Sequence, residues 1–355
     1  GLDAFYYNNT NWEGEPILVK TDDKIDFWWE HRPINDLLRD NFSVTWEGFL
    51  LPPATGTYEI GLFAKRGMTI ILDGTEISSR KGTIHEGRYA TGRLTLKAGK
   101  KYPISIRYFS DASNAQAQLL WARVDENLQE QAVTIAKKAD LSIVVLGLSQ
   151  RLEGEGGDRK DIILPEEQTA LLKAIAATGK PVVLVLNAGS ALAINWANEH
   201  IPAIISAGYP GEEGGSALAD VLFGDYNPAG RLPVTYYQSI EELPPFEDYS
   251  MKERTYRYYS GKPLYPFGYG LSYTTFEYSK LRLPKTITAG DTLKISVTVT
   301  NTGIRAGDEV VQLYLSDEEA STPRPLRQLE GFERIHLKAG ESKTVNFTLK
   351  PEQLS

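Results

Sequence analysis

The sequence predicts a multidomain chain, α/β plus all-β: a β-sandwich, then a parallel α/β domain, then a second and smaller β-sandwich. Three observations predict it. Short runs of alternating apolar and polar residues, without a helical stretch, fill the first third of the chain. Near residue 125 they give way to continuous apolar runs separated by helical periodicity, as strands buried between helices require. Beyond residue 279 the period-two alternation returns. At 355 residues the chain is longer than one hydrophobic core ordinarily serves, so a division into 1–124, 125–278 and 279–355 is expected.

In the first segment strands are expected over 42–49, 56–63, 68–72 and 102–109, with turn signals at Pro52 and Pro53, Asp73 and Gly74, and Ala98 and Gly99. Many short strands between such turns make a sandwich. Trp12, Trp28, Trp29, Trp46 and Trp121 fall here. They could stack on sugars, but core packing is the weightier reading for most of them, since tryptophan is usually well buried.

In the second segment 128–138 reads as an amphipathic helix and 141–148 as a strand buried on both faces. A helix follows Pro165, which suits a first helical turn, and Glu166 and Glu167 sit near its positive end. Further buried strands are expected over 181–186 and 203–207, and a helix over 214–223. Strand and helix alternate, which gives a parallel sheet. Three strands are few for such a sheet, so the domain is expected to be incomplete, with part of it outside this chain. The last segment offers strands over 292–300, 310–315 and 345–349 and a turn at Asn301–Gly303, and is expected to stop before its final strands.

Composition removes several function classes. Lys and Arg number 38 against 46 Asp and Glu, a formal net charge of -8, and no basic run interrupts it. Nucleic acid is therefore not an expected partner. No apolar stretch reaches the roughly 18 residues that span a bilayer, so no membrane partner is expected. There is no cysteine, which removes thiol chemistry and thiolate metal sites but leaves the compartment open, periplasmic and secreted included. The start, Gly1 to Ala4, is not a signal peptide and reads as the middle of a longer chain.

The strongest chemical signal is the acidic glycine loop 151–159, Arg-Leu-Glu-Gly-Glu-Gly-Gly-Asp-Arg, directly after the strand 141–148. It leaves the carboxyl end of that strand, where open α/β sheets present functional groups. Glu153, Glu155 and Asp158 are held there among Gly154, Gly156 and Gly157, a backbone able to curl toward a substrate. Carboxyl acid/base chemistry is the expectation. A phosphate cradle is disfavoured because three carboxylates would surround the anion. A calcium loop lacks the regular ligand pattern. In isolation an acidic turn without a role would be the default.

The motifs on the carboxyl side decide the weighting. The stretch 222–235, Leu-Phe-Gly-Asp-Tyr-Asn-Pro-Ala-Gly-Arg-Leu-Pro-Val-Thr, and the stretch 256–276 with its Pro-Phe-Gly-Tyr-Gly-Leu-Ser-Tyr core resemble the hallmarks of glycoside hydrolase family 3, the β-glucosidase and β-xylosidase family. Asn187–Ser190 and Gly208–Gly215 fall in the expected order. The Glu-Gly-Gly-Asp-Arg run at 155–159 matches the family's acid/base loop. The first segment is similar to a protective-antigen-type β-sandwich inserted in some members, and the last resembles their fibronectin-type-III-like domain. The resemblance implies a retaining exo-β-glycosidase acting on an oligosaccharide or an aryl or alkyl β-glycoside, without cofactor or metal. It assigns the acid/base to Glu155, with Glu153 as rival, and supporting roles to Asp158 and Arg159, the latter offering a fork to a carboxylate or making only a surface ion pair. Nothing here resembles the amino-terminal barrel that carries the family's nucleophilic aspartate. A barrel-bearing portion of the same enzyme is thus the expected partner, and the chain alone is expected to be inactive. Self-association into a homo-oligomer is left open.

Other candidates carry less weight. Glu212 and Glu213 could hydrogen-bond sugar hydroxyls, although negative charge at a helix start is the stronger reading. Phe267 and Tyr269 are expected to pack a domain junction. His31, His85, His200 and His336 form no metal or triad pattern. Asp22 and Asp23 resemble an acidic pair of calcium-dependent sugar-binding relatives of the first module, but solvated surface charge is expected. The rival to an enzyme is a carbohydrate-binding or adhesion protein; a structural fragment with an open sheet edge is a third reading.

Overall fold

The computed structural model describes residues 1–30, 41–80, 88–111, 114–124, 127–149, 152–154 and 159–354. The chain divides into two compact units, 1–134 with 150–158, and 135–149 with 159–355.

The first unit is built from strands β1 (Leu2–Tyr7), β2 (Leu18–Asp22), β3 (Asp26–Glu30), β4 (Asn41–Leu50), β5 (Gly56–Lys65), β6 (Gly67–Leu72), β7 (Thr75–Arg80), β8 (Arg88–Leu96), β9 (Tyr102–Asp111) and β10 (Asn114–Arg123). They form a six-stranded sheet, order β2-β1-β4-β9-β6-β7, and a four-stranded sheet, order β3-β10-β5-β8. Alternate residues face a shared core, among them Tyr6, Phe42, Val44, Trp46, Ile60, Leu62, Ile106 and Tyr108, so the period-two pattern is the physical cause of the two layers.

Two expectations about this unit change. Asp22 is not surface charge: its carboxylate is buried, accepting from the Tyr6 hydroxyl at 2.6 Å and the Trp46 indole at 2.8 Å, with Lys20 2.8 Å away. Two donors that the core itself must satisfy draw it inward, whereas Asp23 stays exposed. The tryptophans divide. Trp29 and Trp46 are core, but Trp28 and Trp121 are exposed and Trp12 is half-buried.

The second unit begins within α1 (Leu128–Lys138) and continues through β11 (Ser142–Gly147), α2 (Glu166–Ala176), β12 (Val182–Asn187), α3 (Asn195–His200), β13 (Ala203–Ser206), α4 (Gly214–Phe223) and a short α5 (Thr255–Tyr258). The three strands pair in parallel, order β11-β12-β13. Only β12 is buried on both faces. In β11, Val144 and Leu146 are buried while Ile143 and Val145 are exposed, because β11 is an edge strand whose second face no described element covers. The expectation of full burial there is corrected. Ile204 and Ile205 of the other edge, β13, are likewise half-buried.

The same unit ends in β14 (Phe276–Arg282), β15 (Leu293–Asn301), β16 (Gly307–Leu315), β17 (Gln328–Leu337) and β18 (Ser342–Leu349). Sheets β14-β15-β18 and β16-β17 enclose a small core of Val299, Val311, Ile335, Leu337 and Val345.

Candidate active-site loop at the carboxyl end of the parallel sheet

The carboxyl ends of β11 and β12 approach closely at Gly147 and Asn187, which are register partners. A Cβ on Gly147 would fall 1.8 Å from the Asn187 carbonyl oxygen, so only glycine fits. The side-chain amide of Gln168, from α2, clamps the same residue. Its Oε1 accepts from the Gly147 amide at 2.8 Å and its Nε2 donates to the Gly147 carbonyl at 2.9 Å. The next amide, Leu148, donates to the Asn187 carbonyl at 2.8 Å. The backbone entering the acidic loop is thereby fixed from two sides.

Its exit is fixed as well. Arg159 donates to the Ser190 hydroxyl at 2.8 Å and, at 3.4 Å each, to the carbonyls of Ala191 and Ile163. Asp161 turns the following segment by accepting from the amides of Ile162 and Ile163 at 2.7 and 3.2 Å, and Ala193 donates to the Ile162 carbonyl at 2.8 Å. A charge-assisted hydrogen bond of this kind contributes about 1.5–3 kcal/mol when well formed. Arg159 thus ties its own segment to the residues that follow β12. Glu153 is half-buried. Glu155 and Asp158 lie outside the described residues.

The remaining candidates are placed plainly. Glu212 and Glu213 are exposed, and Glu213 immediately precedes α4. His200 bonds through Nδ1 to the Trp196 carbonyl at 2.8 Å and stacks on that indole, while His336 pairs with Asp308 at 2.7 Å; His31 and His85 lie outside the described residues.

The two long motifs serve packing within the second unit. Arg231 and Glu309 form an ion pair at 2.8 Å, both side chains 12% exposed, and Glu309 also accepts from the Tyr278 hydroxyl at 2.8 Å. Burial first, and then that bond to a carboxylate, push the Tyr278 hydroxyl well above its ordinary pKa. Asn227 accepts from the Tyr273 amide at 2.8 Å and the Ser272 hydroxyl at 2.9 Å, and donates to the Ala306 carbonyl at 3.0 Å. Phe267 stacks on Tyr256 with centroids 4.2 Å apart, and Gln312 donates to the Gly268 carbonyl at 3.0 Å. Tyr269 stacks on Tyr265 and is 38% exposed. Gln168, Ser190 and Asn227 were not singled out from sequence. Gln168 gave no signal, but Ser190 and Asn227 lie inside motifs that were.

Comparison with known proteins places this geometry. The "Glycosyl hydrolase family 3 C-terminal domain" family model matches residues 46–273 and the "Fibronectin type III-like domain" model matches 309–355. The chain belongs to glycoside hydrolase family 3. It is 37% identical, over 100% of its length, to a xylan 1,4-beta-xylosidase of Xylanibacter ruminicola, and 44% identical over 65% of its length to a periplasmic beta-glucosidase of Salmonella typhimurium. The crystal structure of a beta-glucosidase from Kluyveromyces marxianus superposes with a TM-score of 0.80 at 32% identity over 99% of this chain. The chain spans 42%, 32% and 45% of these three proteins, under half of each.

Proposed function

We propose that this chain supplies the general acid/base of a retaining exo-β-glycosidase that releases nonreducing terminal sugars from oligosaccharides or aryl and alkyl β-glycosides. The observation that carries the reading is the anchoring of the residues on either side of the acidic stretch. Gly147 and Gln168 fix its entry and Arg159 its exit, both at the carboxyl end of a parallel sheet. A carboxyl group offered from so fixed a frame can be held to the narrow geometry that proton transfer needs. Names of similar proteins support the substrate class: xylosidase and glucosidase both occur among them.

Glu155 is the acid/base and Glu153 its rival. In the first step the acid protonates the leaving oxygen while a nucleophilic carboxylate, about 5–5.5 Å away, forms the glycosyl-enzyme; in the second it deprotonates the attacking water. Desolvation or the nucleophile's charge must raise its pKa for the first step. The nucleophile belongs to a barrel carried elsewhere in the enzyme, and the reaction uses no cofactor. Asp158 and Arg159 organise the loop. Segment 1–124 is a protective-antigen-type module that limits leaving-group length, 125–278 the α/β sandwich domain and 279–355 the fibronectin-type-III-like domain. Export to the periplasm or beyond the cell is in line with the periplasmic relative.

The test is complementation. The pure chain should not turn over an aryl β-glycoside, and mixing it with a barrel-bearing portion should restore hydrolysis. Turnover by the chain alone would contradict the division of labour.

A further inference from the structure

The outer face of the sheet β14-β15-β18 holds a feature the proposed function does not use. Val297, Val299 and Val345 turn toward the core, so the residues between them face outward. On β15 and β18 these stand opposite one another in ranks: Thr300 with Ser342, Thr298 with Thr344, Ser296 with Asn346, and Lys294 with Thr348. In the first two ranks the hydroxyls bond to each other across the strands, at 2.7 and 3.3 Å. In the last two, no side chain makes a hydrogen bond or ion pair with another described residue.

Arg282 joins these ranks because β14 bulges. Ser279 stands opposite Thr298, and unbroken register would set Arg282 opposite Ile295, on the core side. Instead the register shifts by one, and Arg282 stands opposite Ser296 on the outer face. Lys280, inside the bulge, has φ of 52°, a left-handed backbone that a long side chain adopts only at a cost. The strained turn carries the guanidinium outward.

The result is an open groove of about 530 Å³ whose polar lining is Arg282, Lys294, Ser296, Asn346 and Thr348, with no carboxylate among the lining residues. Leu283 and Pro284 add apolar surface. Arg282 and Lys294 are both exposed and without an ion-pair partner among the described residues, whereas Arg334 and Lys343 of the same sandwich pair with Asp308 and Glu333. Arg282 is the diagonal neighbour of Lys294 across β14 and β15, a separation of roughly 7–8 Å between backbones at which like charges repel. The segment 280–294 holds Lys280, Arg282, Lys285 and Lys294 against Asp291 alone, in a chain whose formal net charge is -8. A neutral ligand would answer neither cation, and a monocarboxylate only one. A phosphate monoester carries about -1.5 to -2 charges at pH 7 and three acceptor oxygens, enough for both cations and for the free hydroxyl and amide donors beside them. The groove also exceeds a bare phosphate and falls within the roughly 300–1,000 Å³ usual for small organic ligands.

We propose that this groove binds a small phosphate monoester. Arg282 and Lys294 share the phosphate oxygens, Ser296, Asn346 and Thr348 are further donors, and the organic body lies along Leu283 and Pro284. The site is independent of the glycosidase reading.

The experiment is calorimetric titration of the chain, at fixed ionic strength, with phenyl phosphate, inorganic phosphate and benzoate. Phenyl phosphate should bind one per chain and more tightly than inorganic phosphate, and benzoate should not bind measurably. Arg282→Ala and Lys294→Ala should each weaken phenyl phosphate about tenfold or more, with unchanged melting temperature, since both positions are exposed. The control is Lys137→Ala with Lys138→Ala, two exposed lysines of α1, which should leave the affinity as it was. Several results would overturn the proposal: no saturable binding of phenyl phosphate, equal binding of benzoate or of inorganic phosphate, or an equal loss in the α1 control. Binding is read without turnover, so failure of the acid/base assignment would leave this outcome intact.

Discussion

Replacing Gly147 by alanine probes the frame of the acidic loop. The added Cβ would sit 1.8 Å from the Asn187 carbonyl oxygen and 2.6 Å from its carbonyl carbon, whereas non-bonded heavy atoms settle at about 3.5–4.0 Å. Strands β11 and β12 must therefore part by more than an ångström at their carboxyl ends. The Gln168 clamp, at 2.8 and 2.9 Å, and the Leu148 bond to Asn187, at 2.8 Å, resist that movement. Forced overpacking costs about 1–3 kcal/mol. Each of the three hydrogen bonds lost adds roughly 1 kcal/mol, which brings the whole to about 4–6 kcal/mol when all three go. Urea unfolding followed by far-ultraviolet circular dichroism measures it, with Gly211→Ala as control, since nothing lies within 4 Å of a Cβ there. The control should stay within about 0.5 kcal/mol of the parent. Equal midpoints for the two variants would refute the close-approach argument.

Further outcomes follow from other contacts. Arg159→Ala removes the Ser190 anchor, so proteolysis within 150–158 should accelerate; an unchanged cleavage rate would mean the loop is held without it. Asp22→Ala leaves the Tyr6 hydroxyl and the Trp46 indole without their carboxylate, at about 2–6 kcal/mol for two orphaned donors, visible as an earlier tryptophan-fluorescence transition in urea. The Tyr6 hydroxyl is held well above its ordinary pKa of 10.0, by burial first and then by its bond to Asp22 and that residue's charge, and burial does the same for Tyr108. A raised folded pKa contributes stability that is fully present below pH 10 and is lost as pH rises above it. Stability should fall there by about 1.4 kcal/mol per pH unit for each tyrosine, and Tyr6→Phe should flatten the slope in alkaline urea titrations; an identical slope would contradict it.

Much of the fold was legible because burial follows periodicity. The helices 128–138 and 214–223 and the parallel strands emerged from apolar spacing alone. What escaped was set by partners distant in sequence. Strand β1 carries Ala4 and Tyr6 inward, but Phe5 and Tyr7 on its other face hide the alternation. Strand β11 reads as buried on both faces because Ile143 and Val145 are apolar, and sequence does not reveal that nothing described covers them. Asp22 looks like surface charge until Tyr6 and Trp46 are seen to converge on it. At the candidate site, Glu153, Asp158 and Arg159 stood out as a charged glycine turn, and family motifs alone gave Glu155 its weight. Gln168 was invisible, since one glutamine in an amphipathic helix carries no sign of the strand end it clamps.

The most direct test compares leaving groups in the enzyme completed with its barrel, using Glu155→Ala beside Glu153→Ala. A general acid contributes about 10²–10⁴-fold, so Glu155→Ala should lose that factor on cellobiose or xylobiose, retain most of its first-step rate on an activated aryl glycoside, and recover second-step turnover with azide. Equal losses on both substrates, or the leaving-group-dependent loss appearing in Glu153→Ala instead, would contradict the assignment of the proton donor to Glu155.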